Sequence, residues 1–161
     1  MNLGPWHDTL ADVGLTYVVP ALRLPARTLV LLSGNNGVGK TLFLERLLIP
    51  HLHHQGLRTF HLAQDLTLQR HALAASLAAQ GQPAPSNLDE LIRTWCTPTP
   101  ADVLILDEAD RHLTAPTLTH LLAQPWHVAV VVSHENTPCF PYTLRLQAVR
   151  HHDQVRLEVL P

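Results

Sequence analysis

The chain has 161 residues, of which 46% are hydrophobic and 15% charged, which excludes a disordered protein and suits one globular domain spanning residues 1–161. Its net charge of −2 excludes a general electrostatic attraction to nucleic acid or to an anionic membrane. The two cysteines, Cys96 and Cys139, are too few for a zinc site or a disulfide framework.

The N-terminal residues have neither a basic segment nor the apolar core of a signal peptide, and no apolar run has the length of a membrane span. We therefore expect a cytoplasmic protein with free thiols and no direct membrane insertion. The sequence contains twelve histidines, but no Cys, Asp or Glu near His51 and His54 completes a tetrahedral metal site. We interpret these histidines as exposed polar residues.

The first strongly patterned segment is an apolar run, a glycine-rich loop and an apolar helix. Residues 29–32 predict a short buried strand and residues 41–48 a helix. The intervening loop follows the phosphate-binding pattern GxxxxGK[ST] with Gly34, Asn35, Asn36, Gly37, Val38, Gly39, Lys40 and Thr41. Glycines let successive backbone N–H groups turn toward an anion, and the helix N-terminus adds partial positive charge at the same point.

This loop predicts a site for ATP and Mg²⁺. Lys40, the one lysine of the chain, is expected to reach the β- and γ-phosphates, and the Thr41 hydroxyl is expected to hold the metal. The loop amides and the first helical residues, through Leu42, complete the expected nucleotide contacts.

Further along the chain, strands and helices alternate. Pro50 is expected to kink the first helix or end it before His51, and Gly56 to stop it. Residues 58–63 predict a strand, and residues 66–80 a helix closed by Gly81.

A second helix is expected to begin at Ser86, which with Asp89 approximates a capping box. Residues 103–106 and 128–132 are continuously apolar and predict parallel strands covered on both faces, with a helix at 116–123 between them. The pattern predicts an α/β fold with a mostly parallel sheet flanked by helices.

The C-terminal segment alternates apolar and polar residues over 143–149 and 154–159. Such alternation on both sides of a short polar turn predicts an antiparallel hairpin. We expect this hairpin to close one edge of the sheet.

Polar side chains follow each predicted strand at its carboxyl end, where α/β proteins bind ligands. Asp107 is placed to hold Mg²⁺ through its water shell, and Glu108 to orient or deprotonate an attacking water. Gln64 is a candidate contact for Mg²⁺ or for that water, and His134 for the γ-phosphate.

Together these motifs resemble the ATPase domain of the ABC superfamily. Residues 33–41 are similar to its Walker A loop, Gln64 to its Q-loop glutamine, residues 104–108 to its Walker B strand with the catalytic glutamate, and residues 131–134 to its H-loop. The resemblance implies that the strand before His134 lies between the Walker A and Walker B strands. It also implies that Tyr17 is a candidate adenine-stacking residue, and that a protein partner or dimer mate completes the site.

The chain departs from that family in two ways. Residues 85–89 stand where the signature motif would open a helix, and they lack its glycines, so we expect slow hydrolysis in isolation. The short connections favour a competing RecA-like ATPase, in which Asp65 would be the catalytic carboxylate.

A nucleotide-dependent binding switch with little hydrolysis is a further alternative. A helicase, despite the Asp-Glu-Ala-Asp spelling at 107–110, and a small-molecule kinase fit less well, because the chain lacks a second lobe and an arginine-rich lid.

Overall fold

The centre of the fold is an eight-stranded sheet with helices on both faces. The computed structural model describes residues 1–96, 101–108, 111–133 and 141–161. The strands are β1 (Asn2–Leu3), β2 (Trp6–Leu10), β3 (Leu15–Val19), β4 (Leu22–Arg23), β5 (Thr28–Ser33), β6 (Thr59–Leu62), β7 (Val103–Asp107), β8 (Val128–Val132), β9 (Leu144–His151) and β10 (Gln154–Leu160). The helices are α1 (Lys40–Phe43), α2 (Ile49–His54), α3 (Leu66–Ala79), α4 (Leu88–Cys96) and α5 (Ala115–Ala123).

The strand order in the large sheet is β2-β3-β10-β9-β5-β8-β7-β6, while β1 and β4 form a separate antiparallel pair. Strands β9, β5, β8, β7 and β6 run parallel to one another, and within the described part of this large sheet the antiparallel pairs are β2–β3 and β9–β10. The predicted α/β class with a mostly parallel sheet is therefore confirmed. In this order β8 lies between β5 and β7, as the family resemblance implies.

The central strands are buried on both faces, which explains their unbroken apolar sequences. One face carries Val30, Val130 and Ile105 and packs against the helical segment from α1 to α2. The other face carries Leu104, Leu106 and Val131 and packs against α3, α4 and α5. The sheet is thus the middle layer of three, and its carboxyl edge is where the loops after β5, β6 and β7 meet.

The C-terminal hairpin does not lie where the sequence predicts it. The pairing of β9 with β10 is confirmed, but β9 also pairs with β5 and β10 also pairs with β3. The hairpin is therefore internal, and β2 and β6 are the edges of the large sheet. The alternation of apolar and polar residues predicts which neighbouring strands form a hairpin. It does not predict the parallel pairing of β10 with β3, which joins segments about 140 residues apart.

The helix after the loop continues through Pro50 instead of ending there. A π-helical segment, Leu44–Leu48, joins α1 to α2, and the helix ends at His54 before Gly56, which has a φ of 75°. Proline has no N–H and its ring collides with the carbonyl four residues earlier in an α-helix. A wider π turn just before Pro50 accommodates that carbonyl, so the expected break becomes a local change in helical winding.

The start of α4 also differs from the prediction. Asn87, not Ser86, caps the helix, because its Oδ1 accepts a hydrogen bond from Glu90 N at 3.2 Å. The carboxylate of Asp89 accepts instead from the backbone N–H of Thr114 at 2.9 Å and from its hydroxyl at 2.8 Å. The expected capping box is therefore replaced by a contact between α4 and the segment before α5.

His51 is half-buried, in contrast to the exposed position expected for it, and Cys96 is buried. The ring of His51 packs edge-on against Trp6 with centroids 4.4 Å apart, and no group of three potential metal ligands of the His, Cys, Asp or Glu type occurs in the described residues. Cys96 is a buried free thiol whose pKa burial raises to about 11. Over the same ranges, every helix is too short or too polar to cross a bilayer.

Candidate functional site

The glycine-rich loop connects β5 to α1 and is held close to neighbouring backbone. A Cβ on Gly34, where φ is 144°, would lie 2.6 Å from the carbonyl oxygen of Ala148 on β9. A Cβ on Gly39, where φ is 105°, would lie 2.5 Å from the hydroxyl oxygen of Tyr17. Both positions therefore require glycine for conformation and for space.

Tyr17 contacts the glycine-rich loop from the core of the protein and is not available to stack on a base. Its side chain is fully buried, its hydroxyl donates to the carbonyl of Gly39 at 2.9 Å, and its ring stacks on Phe43 at 6.1 Å. Burial raises the pKa of Tyr17 to about 12, so the hydroxyl stays a donor. The expectation that Tyr17 contacts adenine is wrong, because β3 lies inside the sheet and directs this ring into the core.

Lys40 is folded into the loop that precedes it. Its ammonium donates to the carbonyl oxygens of Gly34 at 2.8 Å and Asn35 at 3.1 Å, and only 6% of the residue is exposed. Burial lowers the pKa of Lys40, and the nearby carboxylates of Glu108 and Asp107 oppose that change. The one lysine of the chain is thus a buried cation at the mouth of the loop.

Thr41 and Asp107 join the loop to the end of β7. The hydroxyl of Thr41 donates to Oδ2 of Asp107 at 2.7 Å, across 66 residues of sequence. Asp107 is fully buried, and its Oδ1 has no hydrogen-bond partner among the described residues. Burial raises the pKa of Asp107, and the charges of Glu108 and Glu45 add to this effect while the Thr41 hydrogen bond and Lys40 oppose it.

These two side chains fit a magnesium site. Mg²⁺ prefers oxygen ligands and is commonly held by one or two protein groups together with water and phosphate oxygens. A hydroxyl beside a buried carboxylate whose second oxygen lacks a partner in the described chain supplies such a set. A nearby cation would also offset the burial of the Asp107 charge.

Glu108 begins the turn after β7 in a left-handed conformation. Its φ is 54°, its N–H donates to Val132 O at 3.1 Å, and 4% of the residue is exposed. Its Oε2 accepts from Nε2 of Gln64 at 3.0 Å and from Nη1 of Arg111 at 3.1 Å. The structure therefore brings Gln64 and Glu108 together, as their positions at neighbouring strand ends predict.

Arg111 is the site residue that sequence reasoning missed. Its guanidinium pairs with Glu108 while 64% of the side chain stays exposed. An arginine three residues after a strand-end glutamate belongs to no motif considered above. The backbone N–H of Arg111 also donates to the carbonyl oxygen of Glu108 at 3.1 Å, which keeps the two residues together.

Asp65, the catalytic carboxylate of the RecA-like alternative, caps a helix in this structure. Its Oδ1 accepts from the backbone N–H groups of Thr67 at 3.0 Å and Leu68 at 3.3 Å, so this carboxylate caps α3. Capping satisfies helix N–H groups that would otherwise lack partners.

The remaining predicted residues line the loop and its cavity. A cavity of about 340 Å³ opens between the loop and the ends of β6 and β7, and its walls include Asn36, Gly37, Leu42, Gln64 and Arg111. Val38 is different, because its side chain is buried in the core. His134 lies outside the described residues, and its proposed contact stays a prediction.

Comparison with known proteins gives a fold and no family. No protein-family model matches the sequence, and no curated protein matches it. Among solved structures, a KaiC-like protein from the hyperthermophilic archaeon Pyrococcus horikoshii is 17% identical with a TM-score of 0.47, covering 85% of this chain and 80% of that chain. A chain of ribosome-bound archaeal Pelota and ABCE1 is 13% identical with a TM-score of 0.56, covering 90% of this chain.

Three observations indicate the same fold. They are the strand, loop and helix around Lys40, the strand order of the sheet, and the similarity to the Pelota and ABCE1 structure. The fold is that of a P-loop NTPase. Because identity with the Pelota and ABCE1 structure is 13%, the similarity describes architecture alone. This chain also spans only 32% of the length of that chain.

The close packing of Gly39 on Tyr17 predicts a coupled pair of substitutions. Gly39→Ala should destabilise the protein by about 2 to 4 kcal/mol, because the new Cβ meets the Tyr17 hydroxyl and the backbone is left-handed. In a Tyr17→Phe background the colliding oxygen is gone, so the same change should cost less. Urea unfolding of the four proteins measures both effects.

Gly37→Ala is the matched control. It also has a positive φ, 72°, but a Cβ there meets nothing within 4 Å, so only the conformational cost of about 1 to 2 kcal/mol applies. Fully additive costs for Gly39→Ala and Tyr17→Phe would contradict the packing described here.

Proposed function

We propose that this chain is a single-domain P-loop ATPase of a minimal ABC-like type, which binds ATP with Mg²⁺ and hydrolyses it. The observation that carries the proposal is the hydrogen bond between Thr41 and Asp107, at 2.7 Å. It joins the loop after β5 to a buried carboxylate at the end of β7, two strands away in the sheet. A metal–triphosphate requires this arrangement.

In this proposal the loop holds the phosphates and the strand ends hold the reacting groups. The loop N–H groups and Lys40 bind the β- and γ-phosphates, so the Lys40 ammonium exchanges its contacts with Gly34 and Asn35 for phosphate oxygens. Thr41 and Asp107 would hold Mg²⁺, which when bound neutralises phosphate charge, and Gln64 is a further candidate ligand.

Glu108 would orient the attacking water and accept its proton. The water oxygen bonds to the γ-phosphorus, the bond to the bridging oxygen breaks, and ADP and phosphate result. Gln64 is hydrogen-bonded to the same carboxylate and would help to place the water. Arg111 lines the same cavity, and its exposed guanidinium would supply positive charge beside the γ-phosphate.

The RecA-like alternative has one observation in its favour. The chain passes directly from α2 to β6, the neighbour of β7, without an intervening subdomain. The two interpretations agree on ATP, Mg²⁺, Lys40 and Thr41, and they differ in the carboxylate that activates water. The cap that Asp65 makes on α3 favours Glu108.

A partner is the second part of the proposal. The phosphate cavity is bounded by the loop on one side and by Gln64, Glu108 and Arg111 on the other, and it opens outward. A larger cavity of about 740 Å³ continues from it past Glu45 and His112. A protein partner or dimer mate over this opening would exclude water from the γ-phosphate, and without one the domain would act mainly as a nucleotide-dependent switch.

Nucleotide binding predicts a thermal shift that depends on Lys40. MgATP should raise the melting temperature of the unaltered protein, because a ligand bound by the folded state stabilises it by mass action. Lys40→Ala should lose most of the shift. Arg58→Ala is the control, since it removes a cation that pairs with Asp102 at the opposite end of the strands. An equal shift in the Lys40 and Arg58 variants would rule out the assigned phosphate site.

Hydrolysis distinguishes the two candidate carboxylates. Glu108→Gln should keep ATP binding and reduce phosphate release about 10²- to 10⁴-fold, because the amide does not accept the proton of water. Asp65→Asn should leave turnover within a few-fold of normal, since an amide oxygen still caps α3. Normal turnover in the Glu108 variant together with loss in the Asp65 variant would establish the RecA-like alternative.

The partner requirement predicts slow turnover by the isolated monomer. If a second copy completes the site, specific activity should rise with protein concentration as light scattering detects an ATP-dependent dimer. If another protein does so, activity should stay low at every concentration. Rapid turnover by a monomer, independent of concentration, would contradict the requirement for a partner.

A further inference from the structure

A second cavity lies on the other side of the glycine-rich loop. It has a volume of about 210 Å³ and is bounded by loop residues 35–38 and by residues 147–150 of β9. It shares Asn36 and Gly37 with the larger cavity that contains Glu108 and Gln64. The loop therefore separates two adjoining spaces, one toward β7 and one toward β9.

The sheet order fixes the direction in which a bound nucleotide would run, given the proposed function. The strands that carry Gln64 and Asp107 lie on one side of β5, and β9 lies directly on its other side. A γ-phosphate beside Glu108 leaves the rest of the nucleotide to continue past the loop away from β7. The cavity between the loop and β9 is in that direction.

The wall of this cavity contains an arginine, whereas the family resemblance implied an aromatic residue, Tyr17, as the contact for the base. Tyr17 is buried under the loop, and residues 35–38 and 147–150 contain no aromatic side chain. Arg150 follows Leu146 and Ala148 on the face of β9 that packs under the loop helix, and it is exposed beyond them. Its Nε donates to the carbonyl oxygen of His152 at 2.8 Å, which ties the guanidinium to the hairpin turn.

A guanidinium plane is a suitable surface for a nucleobase. Arginine stacks on the flat faces of bases through dispersion and cation–π attraction, and it does so with every base because each has a π face. The exposed amides of Asn35 and Asn36 supply hydrogen-bond donors and acceptors beside it. Arg150 lines the same cavity as loop residues 35–38, so the guanidinium lies close to the loop.

We propose that the cavity between the loop and β9 is the nucleoside subsite, in which the base of the bound nucleotide lies on the guanidinium of Arg150. The subsite takes the place of stacking on an aromatic residue. Because a guanidinium stacks on any base, the subsite favours nucleotides over inorganic polyphosphate more strongly than it favours one base over another.

The test compares MgATP with magnesium tripolyphosphate, which has the phosphates without the nucleoside. The unaltered protein should bind MgATP more tightly. Arg150→Ala should weaken MgATP binding about 3- to 30-fold, the range of a cation–π contact, and leave tripolyphosphate affinity unchanged. Isothermal calorimetry measures both. Arg156→Ala on β10 is the control, because that arginine contacts Gln154 and lies outside the cavity.

Three kinds of result would contradict the proposed subsite. Equal weakening of both ligands in Arg150→Ala would show a general charge or folding effect and overturn the subsite, as would an unchanged MgATP affinity. Equal affinity of the unaltered protein for the two ligands would overturn the subsite and leave the phosphate site in place. Failure to bind either ligand would overturn the proposed function together with this inference.

Discussion

Three charged side chains are buried at the carboxyl end of the sheet, and the surrounding structure is arranged to compensate them. Lys40, Asp107 and Glu108 are each at most 6% exposed. Removing such groups from water is costly unless hydrogen bonds and opposite charges replace the lost solvation. Loop carbonyls, the Thr41 hydroxyl and the Gln64 and Arg111 side chains provide that replacement.

The burial of Asp107 is only partly compensated, because its Oδ1 has no hydrogen-bond partner among the described residues. Burial raises the pKa of Asp107 and lowers that of Lys40, so each group is held in surroundings that disfavour its charged form. A fold selected for stability alone would avoid this arrangement. Clusters of perturbed groups in a cleft are typical of sites that bind or transform a charged ligand.

The sequence predicts the parts of the fold that have a local signal. The unbroken apolar runs of β5, β7 and β8 arise because both faces of these strands are covered, and the polar residues after them lie together because parallel strands end at one edge. The internal position of the C-terminal hairpin depends on the pairing of β10 with β3, which no local pattern reports. The burial of Tyr17 follows from that same pairing, so the two errors have one cause.

The candidate site likewise contains residues that the sequence predicts and residues that it does not. Thr41, Asp107, Gln64 and Glu108 stand in recognisable motifs, and the structure joins them in two hydrogen-bonded pairs. Arg111 pairs with Glu108 although no motif of the sequence joins them, and Asn87 replaces Ser86 as a cap by a shift of one residue. Such details depend on how the backbone turns between elements, which propensity and spacing do not determine.

The left-handed backbone of Glu108 has a consequence for protein engineering. A residue with a side chain costs about 1 to 2 kcal/mol in this conformation, whereas glycine adopts it freely and asparagine more readily than most. Selection of variants by heat resistance or expression would therefore favour glycine or asparagine at position 108, and it would discard the carboxylate in doing so. The substitution that relieves the backbone would therefore also remove the side chain that accepts hydrogen bonds from Gln64 and Arg111.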